Sequence, residues 1–286
     1  MASYQEQKNT FAIAGSLIDQ YVDPGRRRPK KLILCGGPGV GKTFVSQLTT
    51  LYCLCRGLNG LPTALVADRA RELGGMHIHR LFSLRVNNAS PGRTAERAIR
   101  ELYRKPELLH FLQSLDFLNI DEWGVLSAEL IASIDLVLRY VRGSSEFMGG
   151  IFIIATMDHL QLQSFKGSPS MLSLYVLTEF VFVELKESVR ASKDPALREI
   201  CNLTRKPMLT KADEARFEDL LTKHANFVKT FQSDDIPAEA VFVFARKMPC
   251  QEAENLMIDR AKRIYQGQYV VSQCIDEEST LSLIHI

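Results

Sequence analysis

Eight consecutive residues, Gly36 to Thr43, constrain the fold more than any other part of the 286-residue chain. They read Gly-Gly-Pro-Gly-Val-Gly-Lys-Thr and fit the pattern G-x-x-x-x-G-K-T, in which glycines let backbone N–H groups wrap closely around phosphates. An apolar run ending at Cys35 precedes the loop and a segment of helical period follows it, as the pattern requires. The sequence therefore predicts a strand, a phosphate-binding loop and a helix.

This loop supplies the first group of candidate site residues. Lys42 is predicted to contact the β- and γ-phosphates of ATP, and the Thr43 hydroxyl to ligate Mg²⁺. The N-terminus of the following helix adds partial positive charge and free N–H groups. The Lys-Thr ending disfavours the alternative of a glycine-rich turn without a ligand. The remaining predicted ATP-binding positions are Gly36, Gly37, Pro38, Gly39, Val40 and Gly41.

Two carboxylates follow a second apolar run, Phe117 to Ile120. Ligands of parallel sheets bind at the carboxyl ends of the strands, where Asp121 and Glu122 are expected to lie. We predict that Asp121 holds the Mg²⁺ shell through water and that Glu122 orients and deprotonates the attacking water. Taken alone, the pair fits a surface acidic pair equally well, but the phosphate loop favours the catalytic interpretation.

Short apolar runs alternate with longer segments of helical period, which predicts an α/β fold with a parallel sheet. After the loop, one helix is predicted to bury Phe44, Leu48, Leu51 and Cys55, and a second is predicted over Ala128 to Val141. The predicted strands are Leu32 to Cys35, Ala64 to Ala67, Phe117 to Ile120, Ile151 to Ala155, Phe180 to Val183 and Val241 to Ala245.

Length and composition bound the organisation of the chain. At roughly 150 residues per domain, two domains are expected. We predict a first domain over residues 1–183, with a basic insertion near 85–110, and a second over 184–280. Thirty-five basic and 33 acidic residues leave a net charge of +2, too little for a bulk field that would collect nucleic acid. The chain shows neither a secretory leader nor an apolar stretch of about 20 residues, so an intracellular protein without a membrane partner is expected.

Two further segments carry a resemblance to a known family. Residues 151–162, Ile-Phe-Ile-Ile-Ala-Thr-Met-Asp-His-Leu-Gln-Leu, resemble the third motif of superfamily-one helicases. Before them, a helix ending in Leu138 to Arg142 leads to Phe147-Met148-Gly149-Gly150, which is similar to the petite-integration-frequency (PIF) class of DNA helicases. The resemblance extends from about Gln5 to about Ala245.

The resemblance implies roles for four more residues. Gln7 lies in a segment similar to the glutamine motif that reads adenine, and His79 follows a Gly-Gly pair similar to one that lines a path for single-stranded DNA. Gln161 and Arg190 are expected to contact the γ-phosphate, Arg190 as an arginine finger. The alternatives are an ordinary exposed glutamine, a packed histidine and an arginine that only forms a salt bridge.

A PIF-type relationship implies a RecA-like motor domain followed by the start of a second one. It implies ATP hydrolysis with Mg²⁺, 5′→3′ movement on single-stranded DNA, unwinding at duplex junctions, and a monomer. The expected compartment is the nucleus, with a mitochondrial, viral or mobile-element setting as alternatives. Two other functions stay open: a P-loop ATPase of the loader or switch type, and an inactive fragment that binds nucleotide or DNA.

Several positions depart from the family pattern. Met157-Asp158 replaces the usual Gly-Asp, Gln163-Ser164 replaces a double proline, and residues 64–73 carry Asp68, Arg69, Arg71 and Glu72 instead of a small Thr-Gly segment. Later motifs of the second motor, including another arginine finger, are missing, which predicts a divergent and C-terminally truncated member. Residues 281–286 match a reading frame of a sequencing adaptor, so we expect them to be an artificial tail.

Overall fold

A computed structural model describes residues 4–23, 25, 29–85, 89–161, 164, 166–189, 194–224, 252, 255–260, 262–263, 270–274 and 280–284. The chain divides into two compact units, Met1–Asp213 and Glu214–Ile286. The predicted boundary at 183 falls inside a strand that continues to Leu185, and the first unit extends to Asp213. A second motor domain therefore stays a prediction.

A six-stranded parallel sheet forms the centre of the first unit and confirms the predicted α/β class. Its strands are β1 (Lys31–Gly36), β2 (Gly60–Ala64), β3 (Met76–His77), β4 (Phe117–Asp121), β5 (Phe152–Met157) and β6 (Phe180–Leu185). Across the sheet they lie in the order β3-β2-β4-β5-β1-β6. The strands β4, β5 and β1 are therefore neighbours, so the residues that follow them meet at one edge.

Helices cover both faces of this sheet. Successive residues of a strand point to opposite faces, and in β1 Leu32 and Leu34 join one apolar cluster while Ile33 and Cys35 join the other. The helices of the first unit are α1 (Gln5–Val22), α2 (Lys42–Cys55), α3 (Ala67–Glu72), α4 (Ile78–Leu81), α5 (Pro91–Leu102), α6 (Pro106–Gln113), α7 (Ala128–Arg142), α8 (Leu174–Glu179) and α9 (Pro195–Thr204). None of the described helices is long and apolar enough to cross a membrane.

The second unit is described only in part. Helix α10 (Lys211–His224) begins in the first unit, and β7 (Val270–Cys274) pairs antiparallel with β8 (Thr280–Ile284). The predicted strand Val241 to Ala245 lies outside the described residues. Strand β8 overlaps the predicted artificial tail, whose origin stays a prediction.

The region 85–110, predicted as a basic insertion, contributes side chains to the core of the first unit. Helix α5 packs against α7, and Ala95, Ala98 and Leu102 are buried in the same apolar cluster as the α7 side chains. Small alanines three residues apart let the helices approach closely, while basic side chains such as Arg97 stay exposed on the opposite face. This region is therefore part of the core.

The second strand lies earlier than predicted. The sequence predicts Ala64 to Ala67, but β2 is Gly60–Ala64 and Ala67 begins α3. Proline is accepted in a strand where its missing N–H is not needed. Strand β3 pairs only with Thr63 and Ala64, so Pro62 has a neighbour on the β4 side alone.

Helix α2 forms as predicted but buries a different face. Phe44 and Leu51, expected in the core, are 53% and 57% exposed. The buried residues are Val45, Ser46, Thr49, Thr50 and Cys53. The reason is a polar partner: Asn119 of β4 accepts a hydrogen bond from Ser46 Oγ at 2.8 Å and donates one to Thr50 Oγ1 at 2.8 Å.

Replacing Asn119 with Ala is expected to lower the free energy of unfolding by about 2–3 kcal/mol, because two buried hydroxyls lose their partner. Chemical denaturation by urea, followed by circular dichroism, measures the change. The control is Asn9→Ala, since Asn9 is exposed and its side chain accepts a hydrogen bond from the exposed Gln5, and its effect should stay within about 0.5 kcal/mol. Equal effects of the two variants would contradict the assignment.

Candidate nucleotide site

The phosphate loop joins β1 to α2 and depends on glycine at two points. Gly36 has φ +146°, and a Cβ there would lie 2.3 Å from the carbonyl oxygen of Leu185 in β6. Gly41 has φ +90° at the start of α2, a backbone conformation that residues with a side chain rarely adopt. These positions explain why the loop can pass close to β6 and then turn into the helix.

Lys42 folds back over the loop. Its Nζ donates hydrogen bonds to the carbonyl oxygens of Gly36 and Gly37, both at 2.8 Å. Burial lowers the pKa of the Lys42 ammonium. The Asp158 carboxylate opposes this shift, and the Arg205 guanidinium adds to it. An anion in the loop would supply the negative charge that these carbonyl groups provide only in part.

Asp121 and Glu122 end β4 beside the last residues of β5. The Thr156 hydroxyl donates a short hydrogen bond to Asp121 Oδ1, and Thr156 Oγ1 in turn accepts one from the backbone N–H of Glu122 at 3.1 Å. Glu122 has φ +56°, an uncommon conformation for a residue with a side chain. Thr156 therefore fixes both carboxylate-bearing residues from the neighbouring strand.

Asp158 follows β5 and forms the most buried ion pair of the site. Its carboxylate accepts two hydrogen bonds of 2.8 Å from Nη1 and Nη2 of Arg205, and its side chain is 1% exposed. Burial raises the pKa of Asp158, but hydrogen bonds from Arg205 and the Leu160 N–H, with the Arg205 charge, hold it below its usual value. The guanidinium lies over the loop, because a Cβ on Gly37 would be 3.3 Å from Arg205 Cζ.

The residues predicted to contact the γ-phosphate are only partly placed. Gln161 is exposed and borders a small cleft with Glu122, Gly124 and Asp158. Val189 donates its N–H to the carbonyl oxygen of Gly39 at 2.9 Å, which brings the chain after β6 to the loop. Arg190 lies outside the described residues, so its predicted role stays a prediction.

Gln7 reaches the loop from α1. It is 3% exposed, and its Nε2 donates to the carbonyl oxygen of Val40 at 2.9 Å. Its Oε1 is buried without a hydrogen-bond partner among the described residues. The neighbouring Glu6 carboxylate accepts the N–H groups of Lys186 and Glu187, which fixes this end of α1 against the segment after β6. The Gln7 amide thus retains an acceptor for an incoming donor such as an adenine amino group.

A cavity of about 240 Å³ lies beside the loop. It is lined by Gly37, Pro38 and Val40 of the loop and by residues of the chain after β6, among them Glu184, Leu197, Cys201 and Arg205. A cavity that touches the phosphate loop is the natural place for the rest of a nucleotide.

His79 lies in a separate groove of about 500 Å³, with Leu65, Arg85, Ser127 and Lys166 among the lining residues. Its ring stacks on that of His77, with 5.5 Å between centroids and 22° between planes. Burial lowers the pKa of His79, and the neighbouring His77 lowers it further. The histidine is therefore partly packed but borders an open groove, so its predicted DNA contact stays a prediction.

Two oxygen donors in the site fit a hard divalent cation. Thr43 offers a hydroxyl at the start of α2, and Asp121 offers a carboxylate whose charge reaches Lys42, where it opposes the lowering of the ammonium pKa by burial. Mg²⁺ takes such oxygen ligands and is usually bound through one or two protein groups together with phosphates. Among the residues that the structure describes, no cluster of three or more His, Cys, Asp or Glu side chains forms a metal site.

Three contacts of this site were not predicted from the sequence: Thr156 with Asp121, Arg205 with Asp158, and Arg69 with Asp121. Thr156 follows from the sheet order, because β5 lies next to β4 and its end must face Asp121. Asp158 was visible in the third motif, but its partner Arg205 lies 47 residues away and no local pattern joins them. Arg69 of α3 donates a hydrogen bond of 2.9 Å from Nη2 to Asp121 Oδ2, at a position where the family pattern has small residues.

The strand order and the phosphate loop after β1 make the first unit a RecA-like P-loop domain, as predicted. Among known proteins, the chain is similar to PIF-type DNA helicases. The chain is 29% identical over 133 residues to "ATP-dependent DNA helicase PIF4" of Trypanosoma brucei brucei and 30% identical over 139 residues to "ATP-dependent DNA helicase PIF1" of Danio rerio. The predicted resemblance is confirmed, although no family model matches the chain.

Solved structures show the same fold. The Pif1 helicase of Candida albicans superposes with a TM-score of 0.70 at 17% identity, covering 96% of this chain and 58% of the other. Bacteroides Pif1 bound to single-stranded DNA gives a TM-score of 0.65 at 18% identity, covering 96% and 59%.

The chain corresponds to only part of its relatives. The matches to the trypanosome and zebrafish proteins each cover 46% of this chain, but only 16% of the first protein and 20% of the second. The activity, substrates and partners of those whole proteins are therefore proposals for this chain.

Proposed function

We propose that the chain is the nucleotide-hydrolysing part of an ATP-dependent DNA helicase that moves 5′→3′ on single-stranded DNA and unwinds duplex junctions. One observation carries the proposal: the phosphate-loop lysine lies at the same edge of the sheet as the acidic residues that follow β4 and β5. These residues are Lys42, Asp121, Glu122 and Asp158. The similarity to PIF-type helicases favours this function over other P-loop ATPases.

Each side chain has one role in the proposed hydrolysis. The loop N–H groups and Lys42 bind the phosphates, and Gln7 uses its unpaired Oε1 to recognise adenine. Glu122 takes the proton of the attacking water, because its carboxylate faces the cleft that Gln161 and Asp158 border. Gln161 and Arg190 contact the γ-phosphate and respond to its loss.

Thr43 and Asp121 would hold Mg²⁺, Thr43 directly and Asp121 through water. The bound cation would neutralise charge on the β- and γ-phosphates. Thr156 keeps Asp121 in one orientation for this purpose.

The groove at His79 is the proposed path of single-stranded DNA. Arg85 and Lys166 supply positive charge there, so binding through backbone phosphates should weaken steeply as salt rises. Bacteroides Pif1 is known bound to single-stranded DNA, which supports this partner. We propose that the protein acts in the nucleus, with a mitochondrial, viral or mobile-element setting as alternatives. We also propose that it acts as a monomer.

The test is the rate of ATP hydrolysis with and without single-stranded DNA. It is measured on this chain and on a version extended by the genomic sequence that follows it. We expect DNA to stimulate hydrolysis by at least about tenfold in the extended version, because closing of two motor domains on ATP depends on both ligands.

Two outcomes would contradict the helicase proposal. Equal rates with and without DNA in both versions would favour a loader or switch ATPase. Nucleotide binding without hydrolysis in both versions would favour a binding protein that does not turn over ATP.

A further inference from the structure

Arg69 forms an ion pair with the proposed metal carboxylate. Its Nη2 lies 2.9 Å from Asp121 Oδ2, while its Nη1 lies 2.6 Å from Glu72 Oε2 on the same helix, α3. The Asp121 side chain is 4% exposed, so this contact is largely shielded from water on the aspartate side. Arg69 therefore puts a full positive charge beside the carboxylate that the proposed hydrolysis needs for Mg²⁺.

The Arg69 guanidinium and Mg²⁺ would compete for the Asp121 carboxylate. Thr156 already occupies Asp121 Oδ1, so Oδ2 remains for the water shell of a metal ion, and Arg69 donates to that oxygen. A carboxylate oxygen can accept more than one hydrogen bond, so the conflict is mainly one of charge: a guanidinium next to Oδ2 repels a divalent cation approaching it.

The geometry also provides a place for Arg69 to go. The Arg69 side chain is 35% exposed and already contacts Glu72, whose side chain is 63% exposed. Moving the guanidinium wholly to Glu72 keeps it paired and needs no change in the sheet. Arg71, two residues later in α3, is 81% exposed and lies 3.6 Å from the exposed Asp68 carboxylate.

We propose that Arg69 is a positioning residue that sets the Mg²⁺ requirement of the nucleotide site. It pairs with Asp121 when the metal is absent and moves to Glu72 when Mg²⁺ arrives with the nucleotide. The inference rests on the proposed function, because it assumes that Asp121 serves Mg²⁺ bound with a nucleotide.

The experiment measures binding of a fluorescent ADP, N-methylanthraniloyl-ADP, at increasing free Mg²⁺. Arg69→Gln is expected to lower the half-saturating Mg²⁺ concentration by about three- to tenfold, since it removes a partly exposed ion pair and a repelling charge. Glu72→Gln is expected to shift it in the opposite direction by about twofold or more, because Arg69 loses its second partner. A general loss of structure would not move the two variants in opposite directions.

Two further variants separate the effect of a positive charge at position 69 from that of the net charge of helix α3. Arg71→Gln removes the same charge from the same helix and should leave the Mg²⁺ requirement unchanged, whereas Arg69→Lys should restore most of the parent value. An unchanged or higher requirement in Arg69→Gln, or an equal shift in Arg71→Gln, overturns the inference alone. Failure of the parent chain to bind the nucleotide at any Mg²⁺ concentration overturns the proposed function, and the inference with it.

Discussion

Replacing Glu122 with Gln is expected to slow ATP hydrolysis by about 100- to 1,000-fold while nucleotide binding stays within about threefold of the parent value. The amide keeps the size of the carboxylate but cannot accept the proton of the attacking water. Hydrolysis is measured as phosphate release in the DNA-stimulated extended version, and binding is measured with the fluorescent ADP.

The position of Glu122 supports this separation of rate from affinity. Its backbone is fixed by the hydrogen bond to Thr156 and by φ +56°, so the variant should keep the same backbone conformation. The phosphates are assigned to Lys42 and the loop, which the substitution does not touch. We therefore expect the substitution to affect the attacking water and to leave nucleotide binding nearly unchanged.

Glu107→Gln is the matched control, because Glu107 is an exposed residue in the first turn of α6. Its rate should equal that of the parent chain. A Glu122→Gln variant that hydrolyses ATP at more than about a third of the parent rate would assign the proton transfer to another group.

The parts of the site that lie in one continuous segment could be predicted from the sequence. The loop from Gly36 to Thr43 carries its own backbone requirements, and the carboxylates after Ile120 follow directly from a buried strand. In both cases a short pattern specifies which atoms face the ligand. The parallel sheet follows for the same reason, since its central strands read as uninterrupted apolar runs.

Contacts between distant segments could not be predicted. Arg205 meets Asp158, and Arg69 meets Asp121, only because the sheet places β5 and β2 on either side of β4. Neither arginine has a local pattern that names its partner. The departure at Arg69 from the small residues of the family was visible in the sequence, but its target was not.

The buried face of α2 shows a different limit. Apolar spacing predicts that Phe44 and Leu51 are buried. The helix instead buries Ser46 and Thr50, because both form hydrogen bonds with Asn119 on β4. A buried polar residue is stable only with partners, so the polar positions decided the orientation of the helix. Hydrophobic periodicity alone cannot detect such a partner on another strand.

Replacing Arg205 with Ala is expected to lower the free energy of unfolding by about 2–3 kcal/mol, because it leaves the Asp158 carboxylate buried without its counter-charge. The loss should be smaller than for a fully buried pair, since the Arg205 side chain is 24% exposed. Urea denaturation at neutral pH measures it. Arg198→Ala is the control: Arg198 is exposed in α9, the helix that ends just before Arg205, and its loss should change stability by less than about 0.5 kcal/mol.

The pH dependence of this loss identifies its cause. Burial raises the pKa of Asp158, but the hydrogen bonds from Arg205 and the Leu160 N–H, together with the charges of Arg205 and Lys42, hold the folded-state pKa below the unfolded value. The stabilisation is therefore fully present above about pH 4 and is lost as the pH falls through the folded-state pKa. The difference between the parent chain and Arg205→Ala should shrink over the same interval.

A double-mutant cycle distinguishes an ion pair from simple packing. Asp158→Asn removes the other charge, and the double variant should lose at least about 1 kcal/mol less than the sum of the single losses. Additive losses, or a difference that does not change with pH, would mean that Arg205 stabilises the unit through its packing against the phosphate loop at Gly37 and not through Asp158. In that case the link between the end of β5 and helix α9 would be steric, and charge at position 158 would be free to vary.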